Sequence, residues 1–354
     1  MIKKISLFLI SLCSSLLIIE IGLRLIGKYP AYFETEKELP AIKPSSFFKK
    51  DNLLGWKSST GKFTFFHPNG SLIFECTIDS NGNRIIPISE PEEKSDLNHN
   101  RWKNISLYGC SYTFGQSVSD TSNYPYYLQK LIPYSKIRNR GVSGYSLVQM
   151  LLALKSDVEN GVKPDIAIFN YADFLDQRTV LEKQWLNRFH WSITKRNSSL
   201  EINYPYAKLD NNDSLIIEYL DWNDWSKDWP FRNKSALINL ANSSFNHVHA
   251  ILNKQNHQKT ILSCLNTIIK FCNKNEIKLV VFGFYDNNYV FKDLINKNVT
   301  TKISSVDIRL PDYNCSPLDA QHPNKKAHKI YAQEVFDCLL ENSLINSADY
   351  YCPN

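Results

Sequence analysis

The chain has 354 residues, enough for one large α/β domain with insertions or two small domains. Hydrophobic residues make up 43% and charged residues 21%, a balance that excludes wholesale disorder. The formal charge of +6 contains no dense Lys/Arg block, so it does not point to nucleic acid; it reads as a solvated basic surface, with weak attraction to anionic lipid or polysaccharide as the alternative.

Residues 1–28 open with Lys3 and Lys4, followed by an apolar run from Ile5 to Ile19. Glu20 interrupts it, and a second apolar stretch, broken by Arg24, continues to Ile26. A basic start before such a run marks a secretory signal or a signal anchor. With no small-x-small cleavage site, the expectation is an uncleaved single-pass membrane helix. Lys3 and Lys4 then stay cytoplasmic and the rest of the chain lies outside the cytoplasm, periplasmic or at the cell surface. Glu20 is costly at the centre of a span but tolerable near its end or against a partner.

Residues 29–101 read as a tether followed by a small β element. Alternation around Pro68-Asn69-Gly70 and Asn81-Gly82 predicts a hairpin within 51–88, and 89–101 a polar surface loop. Strand and helix patterns then alternate. Strands are predicted at Asn104–Tyr108, Lys136–Asn139, Asp165–Tyr171 and Lys278–Tyr285. Helical spacing recurs at Tyr124–Ile132, through Leu147, Leu151, Leu154 and Val158, through Ile261, Leu265, Ile268 and Cys272, and through Ala327, Tyr331, Val335 and Cys338. This order implies a domain over 102–345 with a parallel sheet and helices on both faces. Residues 174–258 break the rhythm and read as a long insertion. There Trp222, Trp225 and Trp229 share one helical face, either a core stripe or a platform for sugar rings.

The eight cysteines show no CxxC or Cys/His ligand spacing, so no structural zinc is expected. Cys264 and Cys272 fall on one helix. A disulfide among Cys315, Cys338 and Cys352 is open in an oxidising compartment.

Three segments fall where such a sheet places a site. Gly109-Cys110-Ser111-Tyr112-Thr113-Phe114-Gly115 follows the first core strand and exposes a serine on a tight turn. Asn139-Arg140-Gly141-Val142-Ser143-Gly144 follows the second and offers the Gly144 N–H. Asp319-Ala320-Gln321-His322 precedes the last helix, and its spacing lets one short loop supply a base and its orienter.

In order and position these blocks resemble the SGNH (GDSL-like) hydrolases, from about Asn104 to Leu340 outside the insertion. Val118-Ser119-Asp120, Tyr124-Pro125 and Ala327-His328 extend the likeness. The N-terminal anchor, Gly55-Trp56 and Asn81-Gly82-Asn83-Arg84 resemble a membrane-anchored subgroup. The resemblance implies a flavodoxin-like three-layer α/β/α fold and a serine esterase. Ser111 would be the nucleophile, His322 the base and Asp319 its orienter, with the N–H groups of Ser111 and Gly144 as the oxyanion hole. No metal or organic cofactor is implied. The expected substrate is an acyl ester, an O-acetyl group on an envelope glycan first, with lipid also open. Two alternatives stand: O-acyl transfer to a glycan, and a degenerate domain that binds glycan or scaffolds. The oligomeric state is not legible.

The chain departs from the pattern twice. Cys110 stands where the family has Asp before the serine. The Gly-x-Asn-Asp block is also missing: after the third strand, Ala172 or Phe174 occupies the asparagine position, and neither side chain donates a hydrogen bond. Asn170, of the same strand parity, is the candidate substitute.

Overall fold

The computed structural model describes residues 2–31, 40–87, 102–196, 200–225, 229–284, 288–315, 319–346 and 349. The N-terminal apolar run forms α1 (Ile2–Leu25). Lys3–Leu25, long and apolar enough to cross a membrane, contains an 18-residue window of mean hydropathy 2.2, and no residue of that window is buried. Five short strands follow: β1 (Ala41–Lys43), β2 (Phe48–Asp51), β3 (Gly55–Ser58), β4 (Gly61–Phe66) and β5 (Leu72–Ile78). β4 and β5 form the expected antiparallel hairpin, and β1 pairs with β4. The stretch read as a tether therefore contributes two strands, because Ile42 and Phe47 are apolar enough to join Phe63, Phe65 and Phe74 in a small core.

The main domain runs β6 (Lys103–Gly109), α2 (Ser111–Phe114), α3 (Tyr124–Leu131), β7 (Ser135–Gly141), α4 (Leu147–Glu159), β8 (Ile166–Tyr171) and α5 (Phe174–Thr179). The insertion is folded: α6 (Lys183–Arg196), the hairpin of β9 (Tyr204–Leu209) and β10 (Leu215–Leu220), α7 (Trp222–Trp225) and α8 (Ala236–Leu252). Next come α9 (Lys254–Lys274), β11 (Lys278–Gly283), α10 (Asn288–Asn296), β12 (Thr300–Ile303), β13 (Asn314–Cys315), β14 (Asp319–Pro323) and α11 (Lys325–Glu341).

Five strands form one parallel sheet in the order β7-β6-β8-β11-β12. Counted along the chain this is 2-1-3-4-5, the flavodoxin-like order. Strand alternation assigns its faces. Tyr108 and Phe169 stack on one face, where the Tyr108 hydroxyl donates to Asp157 of α4. Phe282 faces the other side, against Tyr124 of α3 and Tyr331 of α11. Every residue of β8 is buried, as expected for a central parallel strand.

One expectation for the insertion needs correcting. α7 ends at Trp225, so the tryptophans do not share a helical face. Trp222 packs on His190, ring centroids 4.4 Å apart, whereas Trp229 lies beyond the helix and is exposed. The side chain of Trp225 lies outside the described residues.

Candidate active site

In a 2-1-3-4-5 sheet the chain reverses direction between the first and third strands, and ligands bind beyond the carboxyl ends there. Those strands are β6 and β8. Ser111 follows β6 after Cys110, as the first residue of α2, and is buried, where the sequence pointed to an exposed serine. Cys110 is extended before it, and Gly115 closes the helix in the left-handed region at φ 84°. The turn can be this tight because position 109 is glycine: a Cβ there would lie 1.8 Å from Asn170 Oδ1.

Asn170 itself has a different task from the one expected. Its Oδ1 accepts from Cys110 N–H at 3.0 Å and from the Thr113 hydroxyl at 2.7 Å. The side chain is fully buried beneath the nucleophile turn, and its Nδ2 faces Cys110 Sγ at 3.9 Å. Asn170 therefore braces the turn from within the core and offers no donor to a substrate. Strand parity placed it on the correct face, but the neighbours above it had already claimed its amide.

Asp319 and His322 lie on β14, which pairs with β13 just before α11. Asn324 caps α11 by accepting from Lys326 N–H and Ala327 N–H, while its amide donates back to the carbonyls of Asp312 and Asn314. That cap fixes the loop carrying the imidazole. His322 Nδ1 lies 2.5 Å from Asp319 Oδ2, and Ser117 Oγ donates to the same oxygen at 2.7 Å. Burial favours the neutral carboxyl of Asp319, but hydrogen bonds from His322, Ser117 and the Gln321 N–H outweigh it and hold the group down at about 2. With Nδ1–H donating to a carboxylate, Nε2 is the nitrogen left to accept a proton.

Other contacts bring β14 to the nucleophile loop. The Tyr112 hydroxyl donates to the Gln321 carbonyl at 2.9 Å, and the Tyr112 ring meets His322 edge-on at 5.8 Å. Among the described residues no hydrogen bond joins Ser111 Oγ to His322. Such bonds are often long without substrate and tighten when it binds. A second histidine, His328, is unsuited to the role. Burial lowers it to about 3, and its Nδ1 accepts from Tyr124 N–H.

The glycine loop meets the loop that carries Ser111. Val142 N–H donates to the Gly109 carbonyl, and Ser143 Oγ donates to Gln116 Oε1 at 3.0 Å, tying this loop to the nucleophile loop. Gly144 is in the left-handed region at φ 91°, where a Cβ would strike Phe189 at 2.8 Å. Trp56 packs behind it: its indole N–H donates to the Ser143 carbonyl, and its own carbonyl accepts from Tyr145. Neither Ser111 N–H nor Gly144 N–H is used in a hydrogen bond among the described residues. Of the two residues expected at the asparagine position, Ala172 is fully buried and Phe174 is half-buried.

Two supporting residues were not recognised as such from the sequence. Arg84 is buried, and its guanidinium donates to Asp120, to the carbonyls of Phe114, Gly115 and Val118, and to that of Glu75. It fixes the loop that carries Ser117. The only sequence signals were the Asn81-Gly82-Asn83-Arg84 turn and Asp120, with nothing to pair them. Ser117 is the other, and a lone serine carries no signal at all. A groove of about 930 Å³ runs beside Arg138, Arg140 and Asp157, and none of Ser111, Gly144, Asp319 or His322 lines it.

No family model matches the chain, and no curated protein matches it. Solved structures do. A lipolytic protein of the G-D-S-L family from Desulfitobacterium hafniense matches at 11% identity and a TM-score of 0.38, covering 67% of this chain and 99% of its own. A psychrotrophic esterase from Pseudoalteromonas matches at 12% and 0.36, over 69% of this chain and 100% of its own. An acetyl xylan esterase from Butyrivibrio proteoclasticus matches at 14% and 0.38, over 68% of this chain and 64% of its own.

Proposed function

We propose that this chain is a serine ester hydrolase of the SGNH type, held on a membrane by α1 with its catalytic domain outside the cytoplasm. One observation carries the chemistry. Asp319 accepts from both His322 and Ser117, on a strand whose Gln321 carbonyl accepts from Tyr112, the neighbour of Ser111. In this mechanism Nε2 of His322 takes the Ser111 proton as Oγ attacks the ester carbonyl. Asp319 stabilises the imidazolium and keeps Nδ1–H pointed away from the nucleophile. The unpaired N–H groups of Ser111 and Gly144 receive the oxyanion. The imidazolium then protonates the leaving alcohol, and a water molecule, deprotonated by His322, releases the acid.

With Ala172 or Phe174 in place of an asparagine, the oxyanion has two backbone donors. Loss of one side-chain donor costs roughly 10²–10³ in rate, so activated or small acyl esters are the favoured substrates. An O-acetyl group on an envelope glycan fits this chemistry and the proposed location. The test is hydrolysis of p-nitrophenyl esters of increasing chain length by the full-length protein, with and without Ser111→Ala. The reading predicts acetate as the best acyl group and a loss of about 10⁴–10⁶-fold in the variant. Full activity in Ser111→Ala would overturn it.

A further inference from the structure

Helix α8 is built inside out. Its buried residues are Ala236, Asn239 and Asn242, whereas Leu240, Phe245, Val248, Ile251 and Leu252 are exposed. At about 100° per residue the five apolar side chains fall on one broad face, and Asn239, Asn242, Asn246 and Asn253 fall opposite. On the asparagine face, Asn239 makes polar contacts to the chain around it: its Nδ2 donates to the Tyr29 carbonyl, and its Oδ1 accepts from Arg232. A helix against water has the reverse arrangement. Trp229, also exposed, packs on Phe245 with ring centroids 5.7 Å apart and extends the apolar face.

The start of α8 is bound to the last turns of α1. Glu20 accepts from Ala236 N–H at 2.8 Å, from Leu237 N–H at 3.0 Å and from Ser235 Oγ at 2.8 Å. Arg24 pairs with Glu20 and donates to the Lys234 carbonyl. Glu20 lies 17 residues after Lys3, roughly 26 Å at 1.5 Å per residue. That is close to the thickness of a hydrocarbon core, about 30 Å. The cost of a charge inside the span is thus met at its outer end, by an N-terminus with donors to spare.

We propose that α8 lies in the outer interface of the same bilayer that α1 crosses, with Leu240, Phe245, Val248, Ile251 and Leu252 in the acyl region. This rests on the reading of α1 as an anchor. The start of α8 is held at Glu20, the outer end of the α1 span, so its apolar face shares the lipid phase that would surround α1. Lys28 and Lys234 are exposed near the junction and Lys254 at the far end of α8, where cations meet phosphate headgroups. Trp229 packs beside Phe245, as aromatic residues do at membrane interfaces. α8 does not cross the bilayer, because α9 follows after Asn253 and returns to the sheet, burying Ile261, Leu265 and Ile268. The two contacts fix the tilt of the catalytic domain on the membrane, which a single flexible tether would not do.

The test places a p-benzoylphenylalanine photoprobe at Phe245 of the full-length protein, in vesicles of phosphatidylcholine and phosphatidylglycerol. Ser243, exposed on roughly the opposite side of α8, is the matched probe position, and Leu9 in α1 reports the anchor. Irradiation is expected to add the mass of one phospholipid at 245 and at 9, and none at 243. Lipid adducts at 9 but none at 245, or equal adducts at 243 and 245, would overturn the inference and leave the anchor standing. A cross-link from 245 to a second copy or to another protein would also overturn it. Absence of a lipid adduct at 9 would remove the anchor reading and this inference with it.

Discussion

Ser117 Oγ donates to Asp319 Oδ2 at 2.7 Å across 202 residues of sequence, to the oxygen that also faces His322 Nδ1. The bond ties the loop after Ser111 to the strand that carries His322. Ser117 is in the left-handed region at φ 71°, where glycine is the unstrained residue. Ser117→Gly therefore removes the hydroxyl without adding backbone strain. A hydrogen bond to a charged group contributes about 1.5–3 kcal/mol, so kcat for ester hydrolysis should fall roughly 10–100-fold with KM little changed. An unchanged kcat would remove Ser117 from the positioning machinery.

Asn170 braces Cys110 and Thr113 from below. Asn170→Ala leaves the buried Cys110 N–H without an acceptor, which costs about 1–3 kcal/mol. Thermal denaturation should show a clear drop in Tm alongside any loss of rate. An oxyanion donor would behave differently, with kcat falling about 10²–10³-fold at an unchanged Tm.

Arg84 joins the small β element to the loop after Ser111. Arg84→Met keeps the apolar stem but strands Asp120 and several carbonyls. Breaking a buried ion pair from one side costs about 3–5 kcal/mol, and urea denaturation should report a loss of that order. A loss under 1 kcal/mol, the range of exposed pairs, would mean that water replaces the guanidinium.

His328 makes stability depend on pH. Burial, helped by the nearby Arg84 and His322, lowers its pKa in the fold from 6.5 to about 3. Between those values the unfolded chain binds a proton that the folded chain refuses. Its contribution is thus complete above about pH 6.5 and is lost progressively as pH falls toward 3. His328→Gln keeps an acceptor for Tyr124 N–H and removes the titration. The slope of unfolding free energy against pH in that window should be shallower in the variant; identical slopes would contradict this assignment.

The sheet was legible because β6, β8 and β11 carry apolar runs bounded by turn residues, the helices between them keep a 3.6-residue period, and the polar β7 falls in its place in that alternation. β12 was not, since Thr300–Ile303 is four residues long, half-buried and interrupted by Lys302. Ser111, Gly144, Asp319 and His322 could be singled out because each sits in a short block of local pattern. Ser117, Arg84 and Trp56 act through contacts tens to hundreds of residues away, and no local pattern records such pairings. Asn170 shows the limit from the other side: parity fixed its direction, but only the structure shows which groups occupy its amide. In the insertion, the apolar period of α8 is plain in the sequence. That it faces outward is not, because periodicity gives a face but not what covers it.

An activated Ser111, as proposed, would react with a fluorophosphonate. Oγ displaces fluoride at phosphorus, so the product is a stable phosphonyl ester that mass spectrometry assigns to a peptide. The account predicts one adduct, on the peptide containing Ser111, absent from Ser111→Ala and strongly slowed in His322→Ala. No adduct on the folded protein, or an adduct at another residue with Ser111 untouched, would contradict it.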